Sequence, residues 1–473
     1  MNSLSSHQTT RKRCVRYALV CFWFILLFCT LIFYSYMSQM TMAGDSVFNS
    51  NNHGPTGAKQ SRKADDLFLQ RSVQLFDNGP QFDASFSPLY HKQPQTPTFG
   101  HTPQKYFGSE RVVPNVDCGL LFEQNDKEIK KVREMNVIYE SQSFCQQTKA
   151  CENFIKTKGY IMDSLSEEER NFPIAYSILV YKSPEQFEIL LRSIYRPQNS
   201  YCVHVDGKTI GNVFNEFSCI VRCFPNVKMA SKRIEVNWGT MSVLLPELTC
   251  MKDLLSIPKW KYFINLTGQE FPLRTNYELV KILKVYNGSN DGEGTIKRAN
   301  KDRWNIKEKP PHDIVPVKGS VHVTLNRRFV EYVITNRVAA DFLEWVNKTG
   351  IPDETFFATL IHNPQLEIPG SFKGKLETDF GIQKPFLSRF KNWNSWPCGG
   401  KYVRSICIFG IEDLARLARR PEFFANKFHS NYQGHTLLCM DQLIYNRTRD
   451  EYLHRLKFDT KYYESLKHIK NVV

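Results

Sequence analysis

Ile174-Ala175-Tyr176-Ser177-Ile178-Leu179-Val180 leads through Ser183-Pro184-Glu185-Gln186-Phe187 to Tyr201-Cys202-Val203-His204-Val205-Asp206. The first run follows Pro173 and is apolar almost throughout, the pattern of a strand buried on both faces. Ser183 can then cap a helix, Pro184 suits its first position, and Gln186 can close a capping box. Phe187, Leu190, Leu191 and Ile194 follow at helical spacing. Tyr201–Val205 is a second short strand, ending at Asp206.

The alternation continues. Val227–Ala230 reads as a strand, Met241–Leu255 as a helix and Tyr262–Leu266 as a strand. Repeated strand–helix–strand units specify an α/β domain with a mostly parallel central sheet. In such sheets ligands lie outside the carboxyl ends of the strands. Val180, Tyr181 and Asp206 are therefore candidates for a nucleotide site.

The chain has 473 residues, 42% hydrophobic and 23% charged, enough for a sizeable core. Its formal net charge is +15 at pH 7, spread along the chain without a zinc-finger, RNP or basic-zipper pattern. Such a surface fits anionic ligands such as nucleotide sugars rather than nucleic acid. Near the N-terminus, Arg11, Lys12, Arg13 and Arg16 precede an uncharged apolar run over 17–36. About 20 apolar residues cross a bilayer as one helix, and the basic flank stays cytoplasmic. The run exceeds the roughly 7–15 apolar residues of a cleaved signal peptide. The organisation expected is a cytoplasmic tail over 1–16, a signal anchor over 17–36, a polar lumenal stem over 37–117 and a lumenal domain over 118–473.

Of 13 cysteines, Cys14, Cys21 and Cys29 lie in or beside the anchor, leaving an even number for lumenal disulfides. Asn265, Asn287, Asn347 and Asn446 open N-glycosylation sequons, Asn265 within an apolar run.

Sugar transfer with inversion needs a base for the acceptor hydroxyl, positive charge for the leaving diphosphate and a pocket that positions both substrates. No Asp-x-Asp metal pair occurs; the nearest is Asp291-x-Glu293. Basic side chains are the alternative, with Arg404 and Lys427 as candidates. Pro352-Asp353-Glu354 offers a base, although acidic residues at a helix start ordinarily serve the helix dipole.

Eight stretches, in order, resemble the core-2 and I-branching β1,6-N-acetylglucosaminyltransferases. They are Phe172–Ser177, Tyr201–Asp206, Cys250–Leu254, Trp260–Leu266, Phe271–Asn276, Pro352–Glu354, Val403–Ser405 and Phe424–Phe428. The resemblance implies a type II Golgi membrane enzyme with a GT-A-like fold, inverting and independent of metal or other cofactors. It implies a UDP-sugar donor and an O-glycan acceptor on glycoproteins, and leaves room for a homodimer. Glu354 resembles the catalytic base. Arg404 and Lys427 resemble the pair that replaces a metal at the diphosphate. Val180 and Asp206 resemble donor contacts. Glu293, Lys301, Arg303 and Trp393 resemble the acceptor-binding group. The family's cysteine pattern implies Cys118–Cys439, Cys151–Cys223, Cys202–Cys250 and Cys398–Cys407. Cys145 and Cys219 are left over, each near one half of the Cys151–Cys223 bridge, a placement that lets them pair with each other.

There are departures. Tyr181 and Lys182 stand where the family has a histidine pair beside the donor. The segment after Trp393 is short, with Ser395 in place of a tyrosine and Trp396 next to it. A pocket that stops hydrogen-bonding one sugar substituent changes its preference, so UDP-glucose stands beside UDP-N-acetylglucosamine. Two other readings are a peptide xylosyltransferase of the wider superfamily and a catalytically silent glycan-binding protein. The Arg404 and Lys427 motifs argue against the first, and retention of Glu354 with both cations against the second.

Overall fold

The computed structural model describes residues 90–92, 107, 111–135, 137, 143–377 and 384–473. The tail, the anchor and most of the stem expected from sequence lie outside these residues. Among the described residues no helix is long and apolar enough to cross a membrane.

In chain order, the elements that build the main sheet are β1 (Ile174–Val180), α1 (Pro184–Ile194), β2 (Ser200–Val205), α2 (Gly211–Val221), β3 (Val227–Met229), α3 (Leu245–Leu255) and β4 (Tyr262–Thr267). There follow β5 (Glu270–Pro272), α4 (Asn276–Tyr286), β6 (Asp291–Gly292), β7 (Val323–Asn326), α5 (Arg327–Thr335), α6 (Arg337–Val346) and α7 (Phe356–Ile361). The C-terminal part adds β8 (Arg389–Lys391), β9 (Lys401–Val403), β10 (Ile406–Ile408), β11 (Phe424–Asn426) and α8 (His435–Tyr452).

The main sheet has the order β3-β2-β1-β4-β7-β6. Strands β3, β2, β1 and β4 are parallel, while β7 runs antiparallel to β4 and β6 to β7. The mostly parallel sheet expected from the strand–helix alternation is present. Its central strands explain the unbroken apolar run. Ile174, Tyr176 and Ile178 face one layer with Phe187 and Leu190 of α1, Phe217 of α2 and Leu279 of α4. Ala175, with Cys202 and Phe263 of the neighbouring strands, faces the other, against Met251 of α3, Phe329 of α5 and Phe356 of α7. Side chains alternate across a strand, so a sheet covered on both faces needs apolar residues at both parities. A smaller sheet of order β5-β11-β8 packs Phe271, Ala425 and Phe390 into a further cluster.

One local expectation is corrected. Pro184 does open α1, but Ser183 sits at φ 58° and makes no side-chain cap. The Gln186 side chain is drawn elsewhere. Its Nε2 donates to the Phe428 carbonyl (3.0 Å) and its Oε1 accepts from Ser430 N (2.9 Å). A full capping box forms instead at α4, between Thr275 and Glu278.

Disulfides join Cys118–Cys439, Cys151–Cys223, Cys202–Cys250 and Cys398–Cys407. The two leftover cysteines, Cys145 and Cys219, pair with each other. Cys202–Cys250 ties β2 to α3 across 48 residues of chain. Replacing both cysteines by alanine should cost about 2–4 kcal/mol by releasing the unfolded chain. Denaturant unfolding of the double variant checks this; an unchanged midpoint contradicts it.

The sequons divide by burial. Asn287, the left-handed cap of α4, and Asn347 are exposed. Asn446 is half-buried, and its Oδ1 accepts from Arg111 N (3.3 Å). Asn265 does not fit as a glycan carrier in the folded domain. It is 1% exposed, donates to the Val321 carbonyl and accepts from Val323 N.

Candidate active site

Parallel pairing brings the carboxyl ends of β1 and β2 together. Asp206 N donates to the Val180 carbonyl at 2.9 Å. The chain after β4 closes against them because residue 268 is glycine; a Cβ there would stand 2.9 Å from Val180 Cγ1. Asp206 Oδ1 accepts from Lys208 N (2.9 Å) and Val236 N (3.2 Å), and Oδ2 has no hydrogen-bond partner among the described residues. His204 Nε2 accepts from Ile234 N (2.9 Å) and anchors the same loop. Burial pushes His204 down to about 4, which keeps this nitrogen neutral and able to accept.

Trp238, 77% exposed, rides on that loop. The sequence reading passed over it. The available signal was an aromatic beside glycine, in Asn237-Trp238-Gly239, within a polar stretch. Tyr181 is 49% exposed, and the Lys182 ammonium lies 5.1 Å from its ring centre.

The cations arrive from the C-terminal part. Arg404 and Ser405, at φ 51° and 65°, form the turn between the antiparallel β9 and β10. Positive φ at both central residues is the geometry that matches hairpin twist, and here it leaves Arg404 exposed at the tip. Lys427 follows β11 and is half-buried. Its pKa is lowered by burial first; Glu270 opposes this, and the fields of Arg404 and Lys182 add to it. His429 is pushed down to about 4 by burial and then by Lys182, Lys427 and Lys401. Lys182, Lys401, Arg404 and Lys427 thus lie near enough to feel one another's fields, a basic cluster around the neutral His429.

Lys427 is held from both sides. Gln186 fixes Phe428 and Ser430, as above. On the other side, Asn426 Nδ2 donates to Glu270 Oε1 at 2.9 Å. Glu270 is fully buried, with His322 Nε2 2.6 Å and Arg389 Nε 3.0 Å from its oxygens. Burial alone would raise this carboxyl, but Arg389 and His322 hold it at about 2. Removing one member of a buried pair strands the other. Glu270→Gln should therefore cost about 3–5 kcal/mol of stability. This contribution is present above the ordinary carboxylate range and is lost as pH falls toward about 2. Urea unfolding of the variant at neutral pH is the check; a loss under about 1 kcal/mol contradicts the paired-charge account.

The acidic side of the site lies on other loops. Glu354 belongs to a 3-10 turn over Pro352–Glu354 just before α7, a tighter start than the helical turn expected from sequence. Arg303 Nη1 donates to Glu354 Oε2 (2.5 Å), and Lys318 Nζ lies 3.9 Å from the same oxygen. Oε1 is left open. Burial would raise Glu354, but Lys318, Arg303 and Lys391 overrule it and its pKa is lowered. At its neighbour Asp353 the same Arg303 and Lys318 are outweighed. Burial, then the Glu354 charge, pushes it up to about 7.

Lys391 Nζ reaches Glu293 Oε2 (3.3 Å) and Ser320 Oγ (2.9 Å). Despite burial, Lys391 and Lys318 hold Glu293 at about 2. Gly319 lets these strands of the site touch: its N donates to the Glu354 carbonyl (2.7 Å), and a Cβ would stand 2.2 Å from the Glu293 carbonyl oxygen. Glu293, Arg303 and Glu354 are thus joined in one network with Lys318 and Lys391, two residues that sequence reading did not single out. Lys301 is exposed at the start of the turn that carries Arg303. Trp393, just beyond β8, is 42% exposed.

Among the described residues, Cys398, Cys407 and Asp413 form the His/Cys/Asp/Glu group close enough to share a metal, and the disulfide consumes both cysteines. The described residues thus hold an ionised carboxylate network around Glu293 and Glu354 and a basic cluster around Lys427, the latter joined to the chain that follows β1. A family model described as Core-2/I-branching enzyme matches residues 174–418. The chain belongs to the Core-2/I-branching enzyme family. It is a glycosyltransferase. The family segment takes in Val180, Asp206, Glu293, Glu354, Trp393 and Arg404, and Lys427 lies just past its end.

Relatives within the family carry names in agreement. The chain is 32% identical to a human beta-1,3-galactosyl-O-glycosyl-glycoprotein beta-1,6-N-acetylglucosaminyltransferase, over 76% of this chain and 92% of that protein. It is 34% identical to human form 3, over 68% and 78% of the two chains. It is also 34% identical to form 4 of Danio rerio, over 72% and 86%.

Proposed function

We propose that this Core-2/I-branching enzyme transfers N-acetylglucosamine from its UDP-sugar, with inversion and without a metal, to O6 of the N-acetylgalactosamine in core-1 O-glycans of glycoproteins. The observation that carries the reading is the division of labour at Glu354. Both cations hold Oε2, so Oε1 is ionised, oriented and open to an acceptor hydroxyl. In the step, the acceptor oxygen attacks the anomeric carbon and its proton passes to Glu354 Oε1. The bond from that carbon to the phosphate oxygen breaks on the opposite face, and UDP departs with the electron pair. Lys427 and Arg404 carry the charge that develops on the diphosphate; arginine offers a fork and lysine a point charge. Asp206 Oδ2 takes a ribose hydroxyl and Trp238 covers the nucleoside. Glu293, Arg303, Lys301 and Trp393 receive the acceptor.

The relatives' names support N-acetylglucosamine as the sugar. Tyr181 and Lys182, which stand in place of the family's histidine pair beside Val180, make UDP-glucose the second donor to test. The basic flank and apolar run over 11–36 support a type II anchor in the Golgi membrane, with the catalytic domain lumenal. A donor screen with a core-1 glycopeptide and chelator present tests the reading. Transfer from UDP-N-acetylglucosamine supports it. Transfer only from UDP-glucose replaces the sugar, and no transfer from any donor overturns the enzymatic reading.

A further inference from the structure

The far end of the main sheet carries a second opening. Phe172 leads into β1, Tyr262 opens β4 and Asn326 closes the antiparallel β7, and around them lies a surface cavity of about 690 Å³. These are the amino-terminal ends of the parallel strands. At about 3.3 Å per residue, the length of β1 puts the cavity roughly 20 Å from the donor side.

Lys259, Lys261, Lys284, Arg327 and Arg328 line the cavity, and no aspartate or glutamate does. Two of the cations are already engaged. Lys284 pairs with Glu168 (2.5 Å), and Arg327 with Glu331 (2.9 Å) and the carbonyls of Leu255 and Ile257. Lys259, Lys261 and Arg328 are exposed and make no ion pair among the described residues. The main chain of Val473, another lining residue, is occupied by Gly370 N (3.1 Å) and the Ser371 carbonyl (2.9 Å). Between the cations the wall is mixed. Phe172 and Pro369 offer a half-buried apolar patch, Tyr262 lies buried behind Phe172 with the rings 6.2 Å apart, and Asn287 and Asn326 add amide groups.

Free cations around a small apolar patch centred on Phe172, with amides beside it, match a ligand that presents both sulfate groups and a sugar face. A bare anion would leave the wall unused, and a neutral sugar would leave the charges unused. We propose that this cavity is a second carbohydrate site, which binds a sulfated oligosaccharide of glycosaminoglycan type separately from donor and acceptor. The inference is independent of the transfer reaction.

Asn287 stands at the rim. The test therefore uses the full chain with Asn287→Gln, so that no glycan competes. The probe is a heparin-derived hexasaccharide, titrated calorimetrically near physiological salt, because weak surface attraction is screened there. Lys259→Glu, Lys261→Glu and Arg328→Glu together should weaken binding about tenfold or more. A control with Lys127→Glu, Lys130→Glu and Lys149→Glu removes the same charge from other exposed sites and should stay within about twofold. Melting temperature and transferase activity should not change in either variant. If the triple variant is misfolded, Lys261→Gln and Arg328→Gln singly carry the test. Equal weakening by the control, no weakening in the pocket variant, or no binding at all overturns the proposal. So does binding to phosphoinositide vesicles in place of the hexasaccharide.

Discussion

Glu354→Gln should lower kcat by about 10²–10⁴-fold while the KM for the UDP-sugar stays within about threefold. The amide keeps the shape and the contact to Arg303 but cannot take a proton. In the proposed role Glu354 meets the acceptor hydroxyl and not the donor, so the loss should fall on the chemical step; equal losses in donor binding and turnover would remove Glu354 from the base role. The pH profile adds a second readout. Lys318 and Arg303 lower the Glu354 pKa against the burial that would raise it. Activity should therefore persist to pH values below the ordinary carboxylate range of about 4.3 and fall only as the base protonates. The same sign holds for stability: the contribution of ionised Glu354 is complete above about 4.3 and is lost as pH drops through its depressed value.

Lys427→Ala and Arg404→Ala should each reduce kcat/KM by about 10²–10³-fold, the usual size of losing one preorganised stabiliser of developing charge. Chelator should leave the parent enzyme's rate unchanged. The two variants should differ in stability. Arg404 sits exposed on a hairpin turn, so its removal should leave the melting temperature alone. Lys427 is half-buried between the Gln186 and Glu270 anchors, and its own pKa is lowered mainly by burial, which the diphosphate would offset on binding. Full loss of activity with chelator, or a variant of either residue with parent kcat/KM, contradicts this assignment.

The main sheet was legible because burial on both faces leaves a mark that one strand alone can carry. Ile174–Val180 is apolar at both parities, and the helices beside it repeat at 3.6 residues. The first turn of α1 was misread for a physical reason. Gln186 has the spacing of a capping box, but Phe428 and Ser430, distant in sequence, offer it a buried donor and acceptor. Local rules do not register partners that only tertiary packing supplies. The same limit hid Glu270, whose charge is stabilised by His322 and Arg389, and hid Lys318 and Lys391 beside the base. Asn265 shows the converse. Its sequon is intact, yet the apolar run around it already implied the burial that the structure displays. Four disulfides came from the resemblance and not from spacing; Cys145–Cys219 was suggested by the nearness of each cysteine to one half of Cys151–Cys223, and the packing of α2 against the segment around Phe144 brings the two together.

The central claim is a single displacement at O6, with Glu354 as base and protein cations in place of a metal. Proton NMR of the product made by the full chain, from UDP-N-acetylglucosamine and a core-1 glycopeptide with chelator present, tests it most directly. The account predicts one new β-configured N-acetylglucosamine on O6 of N-acetylgalactosamine. An α-configured product, attachment at another oxygen, or product formed only after a divalent metal is restored would contradict it.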